Sequence, residues 1–133
     1  MSKKTSIILC TYNESHHIKN TIEQIQKTIQ NLELIIVDDN SDDGTKEIIN
    51  QINQDKNIKV IFREKSRGLA SAFMRGVIET SGDYIGWLDT NMIESIPKFK
   101  EMSNSLKSDN DIVILSRYIE GGDDKRKLIR SFS

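Results

Sequence analysis

Five short apolar runs rich in β-branched residues recur along the chain, at residues 6–10, 34–37, 58–62, 84–88 and 111–115. Between them lie segments with apolar residues at helical spacing, such as Ile18, Ile22, Ile25, Ile29 and then Ile48, Ile49, Ile52. The runs are typical of buried strands, and the segments between them of amphipathic helices. Alternating strands and helices form βαβ units with right-handed crossovers. The sequence therefore predicts an α/β, doubly wound, mostly parallel sheet with helices on both faces.

Size and composition narrow the class of protein. A chain of 133 residues corresponds to one domain, since domains hold about 100 to 200 residues. The net charge of −1 argues against nucleic acid as a partner. Cys10 is the only cysteine, which excludes an intrachain disulfide and a cysteine-based zinc cluster and predicts a cytoplasmic location. The run at residues 6–10 is too short for a signal sequence, and no stretch of about 18 apolar residues predicts a membrane span.

Helix-start signals support this division. Asn40, Ser41 and Asp42 precede the second helical segment, where side chains of this kind cap a helix. Pro97 is expected in the first turn of the fourth helix, where a missing N–H does no harm.

Polar clusters follow four of the five predicted strands. They read TYNE after the first, DDNSDDGT after the second, DTN after the fourth and SRY after the fifth. In open parallel sheets, ligands bind outside the carboxyl ends of the strands, near the point where the strand order reverses. The four clusters are therefore expected to converge on one edge of the sheet.

The second cluster begins with Asp38 and Asp39, directly at a strand end. An acid at this place can accept hydrogen bonds from a nucleobase N–H or a ribose hydroxyl. The alternative is structural: Asp42 and Asp43 would cap the next helix and Asp38 would brace the loop. For Asp39 the binding role is favoured.

Two other classes of α/β protein fit less well. A phosphoacceptor receiver module would carry its acid pair after the first strand, whereas here the pair follows the second. A nucleotide-dependent oxidoreductase would need a GxGxxG motif after the first strand, and none is present.

Five segments are spread, in order, along residues 6–122: SIILCTYNESHHI, LIIVDDNSDDGT, RGLASAFMRGV, SGDYIGWLDTN and VILSRYIEGG. Together they resemble the family 2 glycosyltransferases of GT-A fold, most closely the polyprenyl-phosphate sugar transferases of the dolichol-phosphate mannose synthase type. The resemblance implies a nucleotide-diphospho-sugar transferase fold. It implies a domain at residues 1–118 that binds the nucleotide sugar, followed by a loose or truncated tail at residues 119–133.

The resemblance also implies nucleotide contacts in the clusters after the first, second and fourth strands. These contacts are Cys10, Tyr12, Glu14, Val37, Asp39, Asp89 and Thr90. The segment RGLASAFMRG resembles a glycine-containing helix start near the nucleotide, to which Gly68 and Gly76 correspond. Alternatively, that helix packs against the sheet through Ala70, Ala72 and Gly76.

Members of the resembled family bind a divalent ion through an Asp-x-Asp motif after the fourth strand. Here the motif is Asp89, Thr90, Asn91, so Asp89 and Asn91 are the implied ligands of Mg²⁺ or Mn²⁺. Because the amide of Asn91 brings no charge, the site is expected to be weakened. His16 and His17 begin a helix without partners at ligand spacing, so they are not expected to bind metal.

The implied reaction is inverting transfer of a sugar, as in a mannosyltransferase, from a GDP- or UDP-linked donor to a polyprenyl or dolichyl phosphate. Asp89 and Arg117 are the implied catalytic residues, and Arg117 would pair with phosphate oxygens; a surface ion pair is its alternative role. The basic, partly apolar tail could contact a membrane from its cytoplasmic side. Two alternatives remain open: a nucleotide-sugar-binding module without turnover, and a fragment without a ligand.

Overall fold

The structure, a computed structural model of the chain, describes residues 3–65 and 67–115. Within these ranges strands and helices alternate as the sequence predicts. In chain order they are β1 (Thr5–Thr11), α1 (Ile18–Thr28), β2 (Leu32–Asp38), α2 (Thr45–Ile52), β3 (Ile58–Phe62), α3 (Leu69–Ile78), β4 (Tyr84–Leu88), a 3₁₀ helix (Ile93–Lys98) and α4 (Phe99–Lys107).

The four strands form one sheet in the order β3-β2-β1-β4, and every neighbouring pair is parallel. Thr5 of β1 stands opposite Leu32 of β2 and Tyr84 of β4, so the amino ends of these strands are aligned. The chain builds outward from β1 through β2 to β3, and then returns to place β4 on the other side of β1. This reversal of strand order confirms the predicted doubly wound fold.

Helices cover both faces of the sheet. On one face, Ile7 and Leu9 of β1 and Leu34 and Ile36 of β2 join apolar residues of α1, α2 and the 3₁₀ helix in the larger hydrophobic cluster. On the other face, Ile35 and Val37 of β2 pack with Ala72 of α3. Burial of these side chains is the main stabilising contribution to the fold.

Helix α3 lies close to the sheet because Gly76 has no side chain. A Cβ atom at this position would come within 2.6 Å of Cγ2 of Ile8. Ala72, one turn earlier, is buried, whereas Ala70 is exposed. The predicted packing of this helix is therefore correct for Ala72 and Gly76 and wrong for Ala70, which lies on the outer side of the first turn.

The predicted fifth strand is wrong. Residues 111–115 have irregular backbone, and Ile112 and Ile114 are each 79% exposed. A strand needs a neighbour for its backbone hydrogen bonds, and this run pairs with none of the four described strands. The position of Pro97 also differs from expectation, because it lies inside the 3₁₀ helix that precedes α4.

The chain divides into two compact units after Lys100. The first contains the whole sheet with α1, α2, α3 and the 3₁₀ helix, and the second begins within α4. The expected domain boundary at residue 118 and the tail lie outside the described residues. Among the residues described, no helix combines the length and the apolar character that a bilayer span requires.

Candidate functional site

The parallel strands all end at one edge of the sheet, and the strand order reverses between β1 and β4. In such sheets the crevice outside the carboxyl ends at the reversal is the usual ligand site. Cys10 and Thr11 end β1 there, and Asp89 follows the last residue of β4. Asp39 follows β2 on the other side of β1. The predicted convergence is thus confirmed for the clusters after the first, second and fourth strands.

The loop after β1 is fastened to the loop after β2. Its backbone amides donate to side chains of the second loop, and one amide of the second loop donates back. These bonds are Asn13 N to Ser41 Oγ at 2.9 Å, Glu14 N to Thr45 Oγ1 at 2.9 Å, Ser15 N to Asp43 Oδ2 at 3.1 Å and Asp42 N to Asn13 Oδ1 at 3.0 Å. Tyr12 and Glu14 are therefore carried on a loop with a defined position.

Asp38 and Asp43 have structural roles. Asp38 is fully buried and accepts hydrogen bonds from the hydroxyls of Thr11 and Ser41 and from the Ser41 amide. Asp43 accepts the amide and hydroxyl of Thr45 at the start of α2. The bond from the Thr45 hydroxyl is the main reason that the pKa of Asp43 lies well below its usual range. The structural alternative is confirmed for Asp38, which braces the loop.

The expected side-chain cap of α2 at residues 40–43 is wrong. The N-cap of α2 is Gly44, which has no side-chain cap, and Asp43 accepts the Thr45 amide from the position before the N-cap.

Asp39 is 7% exposed and is held by three donors. Arg63 contacts it with both arms of its guanidinium, Nε to Oδ1 at 2.6 Å and Nη2 to Oδ2 at 3.0 Å. The backbone amide of Gly68 donates to Oδ2 at 3.0 Å. The carboxylate is thus oriented, and Oδ1 still has acceptor capacity for a ligand.

Tyr12 is the most accessible of the proposed nucleotide contacts. Its side chain is 50% exposed, and the Arg67 guanidinium lies 5.6 Å from the centre of its ring. Val37 and Thr90 are different, because they are 0% and 2% exposed. The Thr90 carbonyl also accepts the Thr21 hydroxyl at 2.6 Å, which ties the end of β4 to α1. Any ligand contact of Val37 or Thr90 would be through main-chain atoms.

Cys10 lies close enough to Asp39 and Asp89 for both charges to act on its thiol. Burial raises the pKa of its thiol, the charges of Asp39 and Asp89 raise it further, and Arg63 and Trp87 oppose the shift, leaving it at about 11. A thiol with this pKa is inert at neutral pH. The strand register places Asp39 and Asp89 on the two sides of the end of β1, because Asp38 pairs with Thr11 and Leu88 pairs with Leu9.

We expect Cys10 to react with iodoacetamide at least about tenfold more slowly at pH 8 in the folded protein than in urea. With a pKa of about 11 the thiolate fraction is about a hundredfold lower than for a free thiol, and the greater nucleophilicity of a more basic thiolate offsets part of this. Mass spectrometry would give both rates, since no other cysteine is present. Equal rates would contradict this account of the Cys10 environment.

The implied metal site has one charged and one neutral ligand. Asp89 is half-buried and Asn91 is exposed, and the Asp89 carbonyl accepts the Met92 amide at 3.0 Å, which closes the turn. The described residues contain no group of three or more His, Cys, Asp or Glu placed to hold a metal ion. Mg²⁺ is commonly bound by one or two carboxylates together with substrate phosphates. Asp89 and Asn91 therefore fit a divalent ion whose remaining ligands come from a diphosphate and water.

Sequence reasoning missed the two arginines after β3. Arg63 orients Asp39, and Arg67 lies over Tyr12. The sequence could have indicated Arg63, because it directly follows a predicted strand, and ligands bind beyond the carboxyl ends of parallel strands. Arg117 lies outside the described residues.

Comparisons with known proteins match this architecture. The family description "Glycosyl transferase family 2" matches residues 6–132. A dolichol-phosphate mannosyltransferase of Pyrococcus furiosus is 39% identical over 124 residues, which is 90% of this chain and 34% of that protein. A dolichol-phosphate mannosyltransferase of Saccharomyces cerevisiae is 33% identical over 130 residues, 91% of this chain and 47% of that protein. The chain thus spans between a third and a half of the length of these relatives.

Solved structures share the fold. A mannosyltransferase from Pyrobaculum calidifontis, in complex with GDP-Man and Mn²⁺, superposes with a TM-score of 0.62 at 23% identity over 68% of this chain and 28% of that one. A glucosyl-3-phosphoglycerate synthase from Mycobacterium tuberculosis, in complex with Mn²⁺, UDP and glucosyl-3-phosphoglycerate, gives a TM-score of 0.63 at 22% identity over 83% of this chain and 41% of that one. With the sequence match over nearly its whole length and a sheet of the same fold, the chain belongs to glycosyl transferase family 2.

Proposed function

We propose that the chain forms the nucleotide-sugar-binding part of a transferase that moves a sugar from a GDP- or UDP-linked donor to a polyprenyl or dolichyl phosphate. The observation that carries this proposal is the placement of Asp39 and Asp89 on either side of the end of β1, at the reversal of strand order. Family membership supports the reaction class. The names of the two dolichol-phosphate mannosyltransferases support the acceptor, and the GDP-Man and UDP complexes support the donor.

In this proposal the residues after β1 and β2 bind the nucleoside, and the residues after β4 bind the diphosphate. Asp39, with Tyr12 and Glu14 on the fastened loop, binds the base and ribose of the nucleotide. Asp89 and Asn91, at the end of β4, would hold a divalent ion together with the diphosphate. When bound, that ion neutralises charge on the departing nucleotide diphosphate.

The proposed sugar transfer depends on holding the acceptor phosphate and the donor sugar in position, and needs no proton transfer to a side chain. A phosphate oxygen of the acceptor is already anionic at neutral pH, so it can attack the sugar without a general base. Attack from the side opposite the nucleotide inverts the configuration at the reacting carbon. Arg117 is proposed to pair with phosphate oxygens.

A second candidate is a nucleotide-sugar binder without turnover. It is favoured by Asn91, which replaces a charged ligand by a neutral one. Binding that does not change with added Mn²⁺, and no release of nucleotide from the sugar donor, would support this candidate over the transferase.

A thermal-shift screen with GDP-mannose and UDP-glucose, with and without Mn²⁺, tests the proposed function. A ligand at about 100 times its Kd stabilises the folded state by about 2.7 kcal/mol, which raises the Tm of a domain of this size by several degrees. We expect one of the two donors to do so, with a larger shift in Mn²⁺.

The matched controls for this screen are two variants. Asp39→Asn should lose the shift because it changes the acceptor to which the nucleotide binds. Arg75→Lys should retain it, since Arg75 pairs with Glu79 on α3 and forms no hydrogen bond or ion pair with Asp39 or with Arg63 among the described residues. If neither donor shifts the Tm of the unaltered protein, the proposed function is wrong.

A further inference from the structure

Arg63 links three elements at the binding edge. It follows the last residue of β3, and its backbone amide donates to the Asp38 carbonyl at 2.8 Å. Its side chain is 9% exposed and grips Asp39 with both arms of the guanidinium. A planar fork of this kind fixes the direction of a carboxylate, whereas a lysine ammonium could donate to it only as a point charge.

The same guanidinium reaches the start of α3. Nη2 donates to the Ser71 hydroxyl at 3.0 Å and to the Gly68 carbonyl at 3.3 Å. Gly68 in turn donates its amide to Asp39, with φ of +122° and ψ of 140°, a backbone conformation that is essentially open only to glycine. The Asp39 carboxylate is therefore the point at which the ends of β2 and β3 and the start of α3 are joined.

Counting acceptor sites shows what is left for a ligand. A carboxylate has about four lone-pair directions. Oδ2 receives both Arg63 Nη2 and the Gly68 amide, and Oδ1 receives Arg63 Nε. One direction remains, on Oδ1. The position of that direction is set by the guanidinium plane.

We propose that Arg63 is the positioning residue for Asp39, aiming the free lone pair of Oδ1 at the donor group of the nucleotide. This inference rests on the proposed function, in which Asp39 binds the nucleotide. Arg63 acts through Asp39 and does not itself touch the ligand. Nucleotide affinity then depends on the fork geometry as well as on the positive charge.

A double-mutant cycle on nucleotide affinity separates positioning from a merely structural role. The four proteins are the unaltered chain, Arg63→Lys, Asp39→Asn and the double variant, each titrated by calorimetry with GDP and with UDP in Mn²⁺. We expect Arg63→Lys to weaken binding about tenfold, because one donor replaces a fork. We expect the double variant to bind within twofold of Asp39→Asn alone, since Arg63 has nothing left to position. Arg75→Lys is the matched control and should bind as the unaltered protein does.

A second measurement needs no variant. Because Gly68 donates its amide to the carboxylate that receives the nucleotide, its amide resonance should move on saturation with the nucleotide that binds. This keeps the test available if Arg63→Lys does not fold.

The outcomes distinguish the two proposals. Binding by the unaltered chain together with a non-additive cycle supports the inference. Binding by the unaltered chain with an Arg63→Lys effect below twofold, or with additive effects, overturns the inference and leaves the proposed function standing. If Arg63→Lys does not fold, the Gly68 amide decides instead: a shifted resonance supports the inference and an unmoved one overturns it. If the unaltered chain binds neither GDP nor UDP, the proposed function fails and the inference with it.

Discussion

Replacing Glu33 with alanine is expected to lower the free energy of unfolding by about 3 kcal/mol, a large part of the 5 to 15 kcal/mol typical of a domain. Glu33 is 4% exposed near the amino end of β2, at the edge of the sheet opposite the binding site. Urea denaturation at pH 7, followed by circular dichroism, measures the change.

The expected loss is large because the Glu33 carboxylate holds several strands together. It accepts the Ser6 hydroxyl of β1 and both the amide and hydroxyl of Ser81, at 2.8 Å each for the two Ser81 bonds. Lys59 of β3 lies 3.1 Å from the carboxylate, and Lys4 lies 3.6 Å away. Removing the acceptor leaves the buried Ser6 hydroxyl and the Ser81 amide without their partner, and unmade buried hydrogen bonds are costly.

The same carboxylate makes stability depend on pH. Burial alone would raise its pKa, but the hydrogen bonds from Ser6, Ser81 and Lys59 outweigh burial and lower it from 4.5 to about 2. A group whose pKa is lower in the folded state stabilises the fold above its unfolded pKa, and this contribution is lost as the pH falls through the folded value. We therefore expect the contribution to be complete above about pH 4.5 and to disappear towards pH 2.

Two variants control for these effects. Glu33→Gln keeps the shape but removes the charge, so its unfolding free energy should change less between pH 5 and pH 2 than that of the unaltered protein. Glu79→Gln removes an exposed carboxylate that pairs with Arg75 and feels the charge of Lys59, and its urea midpoint should stay within experimental error. If Glu33→Ala unfolds at the same urea concentration as the unaltered protein, the network contributes no net stability.

The sequence predicts elements well where burial leaves a clear pattern of apolar residues. The runs that became β1 and β2 are apolar almost throughout, because parallel strands covered on both faces have no solvent side. Ile18, Ile22 and Ile25 mark the buried stripe of α1, because only one face of this helix packs against the sheet. Residues 111–115 carry an equally apolar run, yet no described strand pairs with them. The apolar composition of a segment indicates only a preference for the extended conformation. A strand also needs a neighbouring strand to pair with its backbone N–H and C=O groups.

The site was predictable to the extent that strand ends converge in a parallel sheet. That rule correctly brought Asp39 and Asp89 to the end of β1. It could not show that Asp39 is already gripped by Arg63, or that Val37 and Thr90 are buried. These facts depend on side-chain directions in three dimensions. Glu33 was missed for a related reason: one acid in an apolar strand looks like a solvent-facing position until its partners from distant segments are known.

Asn91→Asp is expected to tighten Mn²⁺-dependent nucleotide binding by on the order of a hundredfold, because a second anionic oxygen is added beside a divalent ion. In the proposed site, the wild-type pair of Asp89 and Asn91 would supply a single charge, so most of the neutralisation of the ion would fall to the diphosphate. Calorimetry with GDP and with UDP, at several Mn²⁺ concentrations, measures the change. Electron paramagnetic resonance of free Mn²⁺ reports metal binding separately from turnover.

Two control variants test whether Asp89 and Asn91 are the residues that hold the ion. Asp89→Asn, which removes the charged ligand, should make nucleotide binding insensitive to Mn²⁺, whereas Glu101→Gln alters an acid of α4 after the 3₁₀ helix and should not. If Asn91→Asp changes neither Mn²⁺ nor nucleotide affinity, Asp89 and Asn91 do not hold the ion. If the gain appears only with nucleotide present, the diphosphate completes the coordination, and the neutral amide at position 91 makes metal binding conditional on the donor.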